Sequence, residues 1–148
     1  PVGVANGLAF SPDERYMYFA DTMRETVWRF EYDPNQGTIQ NQQVFLNLKN
    51  MPGKPDGACV DAEGCYWLAH VYGWKVGRYT PEGKLDREIQ LPTPKPSMCA
   101  FGGTRLDTLF ITAISTNPDS KSGTGMYTGG LFAINPGVSG IPEPRFTA

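Results

Sequence analysis

Residues 5–20, ANGLAFSPDERYMYFA, decide the fold, because the chain carries two further copies of their pattern. Residues 55–69 read PDGACVDAEGCYWLA and residues 96–113 read PSMCAFGGTRLDTLFITA. Each copy opens on a polar residue, runs through a short apolar stretch, turns, and enters a second apolar or aromatic stretch. Asn6, Asp56 and Ser97 fall in the same slot of the three copies. A repeat of roughly 40–50 residues that holds four short strands has the spacing of a propeller blade.

The strands expected on this reading are 8–10, 16–20, 26–31 and 38–45, then 58–60, 66–69, 76–79 and 85–90, then 99–101, 108–112, 130–134 and 143–147. The turn signals SPDE, DPNQG, DAEG and TPEGK separate them, each rich in residues that tolerate tight backbone geometry. The first strand of each repeat, LAF, ACV or CAF, is apolar on successive residues, as expected of a strand covered on both faces. Outer strands, for example around Val76 and Arg78 or Leu85 and Asp86, are expected to alternate. The chain therefore reads as all-β over residues 1–148, about three four-stranded blades of a β-propeller at approximately 5–50, 55–92 and 96–148. The Pro-rich run LPTPKP at 91–96 reads as a stiff connector between blades.

Bulk composition agrees and narrows the function. With 17 Gly and 13 Pro among 148 residues, many short strands joined by turns are favoured over a helical bundle. A net charge of −2 without any Lys or Arg run argues against nucleic acid as a partner. No apolar stretch approaches the roughly 20 residues of a membrane span, and residues 1–7 lack the order of a signal peptide. Cys59, Cys65 and Cys99 are odd in number and lack the spacing of a zinc site, so they are expected as buried free thiols in a reducing, cytoplasmic setting.

Five motifs in order extend the reading. NGLAFSPDERYMYFADT, the stretch from FEYDPNQG to NQQVF, GKPDGACVDAEGCYWLA, GRYTPEGKLDREIQLPTPKPS with the following CAFGG, and GGLFAINPGVSG together resemble the C-terminal half of the gluconolactonase and regucalcin family. The resemblance covers almost the whole chain and implies a six-bladed propeller whose N-terminal half is absent here. It also implies a metal-dependent sugar-lactone hydrolase with a divalent cation in the central channel, Ca²⁺ first, with Zn²⁺, Mg²⁺ or Mn²⁺ as alternatives. Asn6 matches the family's amide ligand and Asp56 its carboxylate ligand, which is also the candidate general base. The family's glutamate ligand has no counterpart in this sequence.

Oxygen donors of this kind suit a hard cation, and a cation beside a cyclic ester can polarise its carbonyl. Read singly, Asn6 before Gly7 and Asp56 between Pro55 and Gly57 are ordinary turn residues; their shared repeat slot and the resemblance favour the functional reading. Ser97 is expected to be structural. Loops expected at the same channel mouth are 21–25, 70–74 and 115–129. The second of these, 70–74, offers His70, Tyr72 and Trp74 as a sugar-binding wall, and 115–129 has the composition of a lid or a plain surface loop. Three blades do not close a ring, so a second copy about a two-fold axis is a candidate partner. Two other readings remain open: a metal-dependent esterase or organophosphatase, and a non-catalytic calcium-binding or protein-interaction propeller.

Overall fold

A computed structural model of the chain describes residues 1–115 and 127–143. Among them lie eleven strands in three antiparallel sheets, and no helix long and apolar enough to cross a membrane. The first sheet runs in chain order through β1 (Ala5–Phe10), β2 (Tyr16–Asp21), β3 (Thr26–Asp33) and β4 (Thr38–Asn47). β5 (Lys54–Val60), β6 (Tyr66–Val71), β7 (Lys75–Tyr79) and β8 (Leu85–Gln90) form the second in the same way. The third holds β9 (Pro96–Gly102), β10 (Thr108–Ala113) and β11 (Leu131–Ile134). Its expected fourth strand, 143–147, lies outside the described residues except for Glu143, and the expected lid lies mostly outside them as well.

The sheets stack like blades, with β1 against β5 and β5 against β9, so the first strand of each repeat is the innermost. Strand periodicity explains how one sheet serves two cores. Along β6, Tyr66 and Leu68 point into a cluster with Tyr18, Ala20, Val27, Leu46 and Leu48 of the first blade. Trp67 and Ala69, one residue out of phase, point into a second cluster with Cys99, Leu109 and Ile111 of the third. Successive side chains of a strand face opposite ways, which is why every residue of β6 is buried.

This position of the second blade corrects two expectations. β7, expected to alternate, is buried along its whole length because its sheet is covered on both faces. The innermost strand of the first blade, expected to be covered on both faces, leaves Leu8 and Phe10 exposed, since among the described residues only one face of that sheet meets a neighbour.

At the end of β5 remote from Asp56, the buried Arg78 is held by three carboxylates: Nε reaches Asp61 at 2.8 Å, one terminal nitrogen Asp86 at 2.9 Å and the other Glu63 at 2.6 Å. Asp61 also accepts from the Trp67 indole at 2.8 Å and from the backbone N–H groups of Glu63 and Cys65. Every charge here has a partner, which is the condition under which burying ions is tolerated. The cluster is a structural clamp on the β5–β6 turn. The three cysteines are free; Cys65 and Cys99 are buried, while Cys59 is only partly so.

Candidate active site

All three innermost strands carry a register shift in the slot picked out by the repeat. In β1 the pairing jumps between Asn6, opposite Ala20, and Ala9, opposite Tyr18. In β5 it jumps between Pro55, opposite His70, and Ala58, opposite Leu68. In β9, Pro96 and Met98 face consecutive residues of β10, which leaves Ser97 as the extra residue. A bulge leaves a residue out of the ladder and re-aims its side chain. Asp56 and Ser97 fall inside their shifts and Asn6, still paired with Ala20, adjoins its own, so the three mark one departure from regular pleating at the same end of the three strands.

Glycines allow this crowding. A Cβ on Gly7, whose φ is +56°, would collide with the Tyr66 hydroxyl and stand 2.8 Å from the Ala20 Cβ. One on Gly57 would stand 2.6 Å from the Ser97 carbonyl oxygen. The Tyr66 hydroxyl uses the space to donate to the Gly7 carbonyl at 2.7 Å, a buried bond between blades. Asn-Gly and Asp-Gly, ordinary turn pairs when read in isolation, serve here to bring neighbouring blades into contact beside the candidate ligands.

The structure brings Asn6 and Asp56 together. The Asn6 side chain lies close enough to the half-buried Asp56 carboxylate to favour its charged form. Burial raises the Asp56 pKa above its usual value, and the Asn6 side chain and the Gly57 backbone oppose the rise without cancelling it. Nδ2 of Asn6 donates to the Thr22 hydroxyl at 2.9 Å, and that hydroxyl donates to the Pro55 carbonyl at 2.8 Å. Among the described residues no three His, Cys, Asp or Glu side chains gather as a metal-binding group. The two oxygen donors fit a hard cation in kind, while Ca²⁺ takes roughly 6–8; further donors must come from water, substrate or other protein.

The loop residues separate. His70, expected in a sugar-facing wall, is buried at 0% exposure; Nε2 lies 2.8 Å from the Tyr79 hydroxyl. Its Nδ1 makes no well-formed hydrogen bond, and the adjacent Pro52 backbone is the weakest influence on the ring. The reason is again the doubly covered sheet: β6 extends through His70, so the imidazole points into the blade and the turn begins only after it. Tyr72 and Trp74 do reach solvent, at 61% and 47% exposure, and both take left-handed backbone conformations, with φ of 66° and 60°. The Lys95 ammonium lies 4.9 Å from the Tyr72 ring centroid, a cation–π contact. Ser97 pairs with Thr112 through their hydroxyls at 2.9 Å.

The sequence places the loop 21–25 beside the candidate ligands but gives no role to two of its residues. Asp21, fully buried, accepts backbone N–H groups from Gly3, Val4, Met23 and Arg24 and so folds the β2–β3 turn onto the N-terminal lead-in. The Gly3 N–H leads the causes that hold its pKa below the usual carboxylate value. Thr22 links Asn6 to the carbonyl of the residue preceding Asp56. An Asp-Thr pair at a strand end is a turn signal with no chemistry of its own, which hides both roles.

Comparison with known proteins agrees with this architecture. The chain is 41% identical to the 6-deoxy-6-sulfogluconolactonase of Pseudomonas putida over 98% of its own length and 50% of that protein's. It is 35% identical to the pentonolactonase of Haloferax volcanii, over 97% of the chain and 51% of that protein. The crystal structure of a calcium-binding protein, regucalcin, from Agrobacterium tumefaciens superposes with a TM-score of 0.92 at 28% identity, over 99% of this chain and 50% of that one. The chain thus spans about half the length of the relatives it matches. A family profile described as the SMP-30/gluconolactonase/LRE-like region matches residues 1–115, and with its bladed sheets and paired slot residues the chain belongs to that family.

Proposed function

We propose that this chain supplies the Asn6 and Asp56 arms of a divalent-cation site at which a sugar lactone is hydrolysed. The observation that carries the reading is the approach of these two side chains, which stand at the register shifts of adjacent, packed innermost strands and are linked through Thr22 and the Pro55 carbonyl. A relative at 41% identity that bears a sulfogluconolactonase name, and another that bears a pentonolactonase name, support an aldonolactone as the substrate class. A bound cation, Ca²⁺ foremost, supplies Lewis acidity toward the lactone carbonyl.

Asp56 is the general base. Its carboxylate accepts a proton from the water that attacks the lactone carbon; the ring C–O bond then breaks, and the departing alkoxide takes that proton from Asp56 to give the open hydroxy acid and the free carboxylate. Burial raises the Asp56 pKa in the cation-free chain, a bound cation opposes that rise, and one carboxylate oxygen ligates while the other accepts the proton. Asn6 supplies an amide oxygen and steadies the carboxylate. Tyr72 and Trp74 offer exposed aromatic faces on which a sugar ring stacks, and His70 supports their turn from inside the blade. A second copy about a two-fold axis completes the ring and its donor set. Unpaired thiols suit a cytoplasmic setting.

Asp56→Asn tests the reading. Lactone hydrolysis followed by proton release should fall by about 10²–10⁴ with the melting temperature nearly unchanged. Turnover within a few-fold of the parent would refute the assignment. The non-catalytic calcium-binding reading, favoured by the likeness to a protein described as calcium-binding, predicts instead that the parent takes up Ca²⁺ and turns over no lactone.

A further inference from the structure

We propose that Thr22 is the positioning residue of the cation site, because its hydroxyl sets which end of the Asn6 amide faces the cation and ties that amide to the strand that bears Asp56. The inference rests on the proposed cation site and adds to it a residue that acts through another. Thr22 follows directly on β2, on the first blade, while Pro55 precedes Asp56 on the second.

The direction of the bonds follows from the groups themselves. A backbone carbonyl only accepts, and a hydroxyl has one proton to give. At 2.8 Å from the Pro55 carbonyl, the Thr22 proton is committed there. Toward Asn6, at 2.9 Å, the same oxygen is left only to accept. The amide atom that faces Thr22 must therefore be the NH₂ group, and Oδ1 is turned away from it. A free asparagine side chain exchanges its two ends by rotation about its last torsion, and only the oxygen end can bind a cation. Thr22 biases that choice before any cation arrives, in the same sense as the Asp56 carboxylate, and unlike that carboxylate it keeps its hold on the NH₂ group when a cation takes up Asp56.

The same hydroxyl also limits separation of the ligands. Asn6 and Asp56 sit on different blades, joined by packing rather than by a shared ladder. Asn6, Thr22 and Pro55 make a three-member chain across that seam, ending one residue from Asp56. Partners that orient a metal ligand commonly contribute about 10–100-fold to affinity.

The test uses the full chain and Mn²⁺ alone as the probe, titrated by the paramagnetic resonance of free Mn²⁺. Thr22→Val keeps the shape and removes the hydroxyl, and Thr22→Ser keeps the hydroxyl and removes the methyl. The valine variant should bind Mn²⁺ about 10–100-fold more weakly, and the serine variant should match the parent. Should the valine variant not fold, Thr22→Ala takes its place in the same titration. Equal affinity of parent and valine variant overturns the proposal, as does equal loss in the valine and serine variants, which would assign the effect to packing. Asp56→Asn separates the two levels: if it loses Mn²⁺ while Thr22→Val does not, only the role of Thr22 falls. If the parent takes up no Mn²⁺, the cation site falls and the role of Thr22 with it.

Discussion

His70 carries the chain's only imidazole, and no solvent reaches it. Burial, reinforced by the nearby Lys75 ammonium, lowers its pKa from 6.5 to about 4. Because the folded value lies below the unfolded one, the unfolded chain binds a proton in the window between them and the folded chain does not. This contribution is therefore intact above pH 6.5 and lost as pH falls toward 4, a decline of about 3 kcal/mol by linkage. In His70→Phe the decline should vanish, whatever constant offset the lost Tyr79 bond introduces. Urea melts of both proteins at several pH values across the window measure the difference; parallel curves would show that His70 does not titrate as described. The fate of His70 also shows the limit of a residue read alone. A lone histidine followed by Tyr-Gly-Trp has the look of a binding loop, and only the reach of β6 decides that the ring turns inward.

At the scale of the strand, the bulge matters more than its length. The expected innermost strands began at residues 8, 58 and 99; the observed ones begin at Ala5, Lys54 and Pro96 and include the slot residues. Alternation of apolar residues locates regular pleating, and a bulge breaks that alternation, so the segment that bears the chemistry read as a turn. Packing at these bulges is close enough to test. In Gly57→Ala the new methyl would meet the Ser97 carbonyl at 2.6 Å and the Met98 Cα at 2.9 Å, both on backbone. The seam between the second and third blades must then open, at a cost of about 1–3 kcal/mol, measurable as a lower urea midpoint. Cation affinity should fall as well, because Asp56 is the adjoining residue. A midpoint equal to the parent's would mean that the two strands are not in the contact described.

At the scale of the molecule, two sheet faces are left without a neighbour among the described residues. On the first blade Leu8 and Phe10 are exposed, and on the third Phe110 and Leu131, the last at 68%. Open apolar faces on both flanks of a stack are a liability that a closed ring removes. If two copies close the ring, sedimentation should report twice the 16.3 kDa of one chain. Leu131→Lys, a charge placed on the flank, should then shift the protein toward the monomer and increase the binding of an apolar dye. A monomeric parent that binds no such dye would exclude the two-fold assembly.

The sequence by itself determined the strand-rich class, the three repeats, the slot shared by Asn6, Asp56 and Ser97, and the family resemblance. Each of these is written in local spacing: side chains alternate along a strand, turns need particular residues, and a blade repeats every few tens of residues. Tertiary structure decided that β6 and β7 are covered on both faces, that His70 lies inside, and that the Thr22 hydroxyl joins Asn6 to the carbonyl preceding Asp56. Those outcomes depend on which blade stands beside which, and on hydrogen bonds between residues far apart in the chain. Such contacts leave no periodic trace in any single segment, because the same Thr or His would serve equally well in a solvated turn.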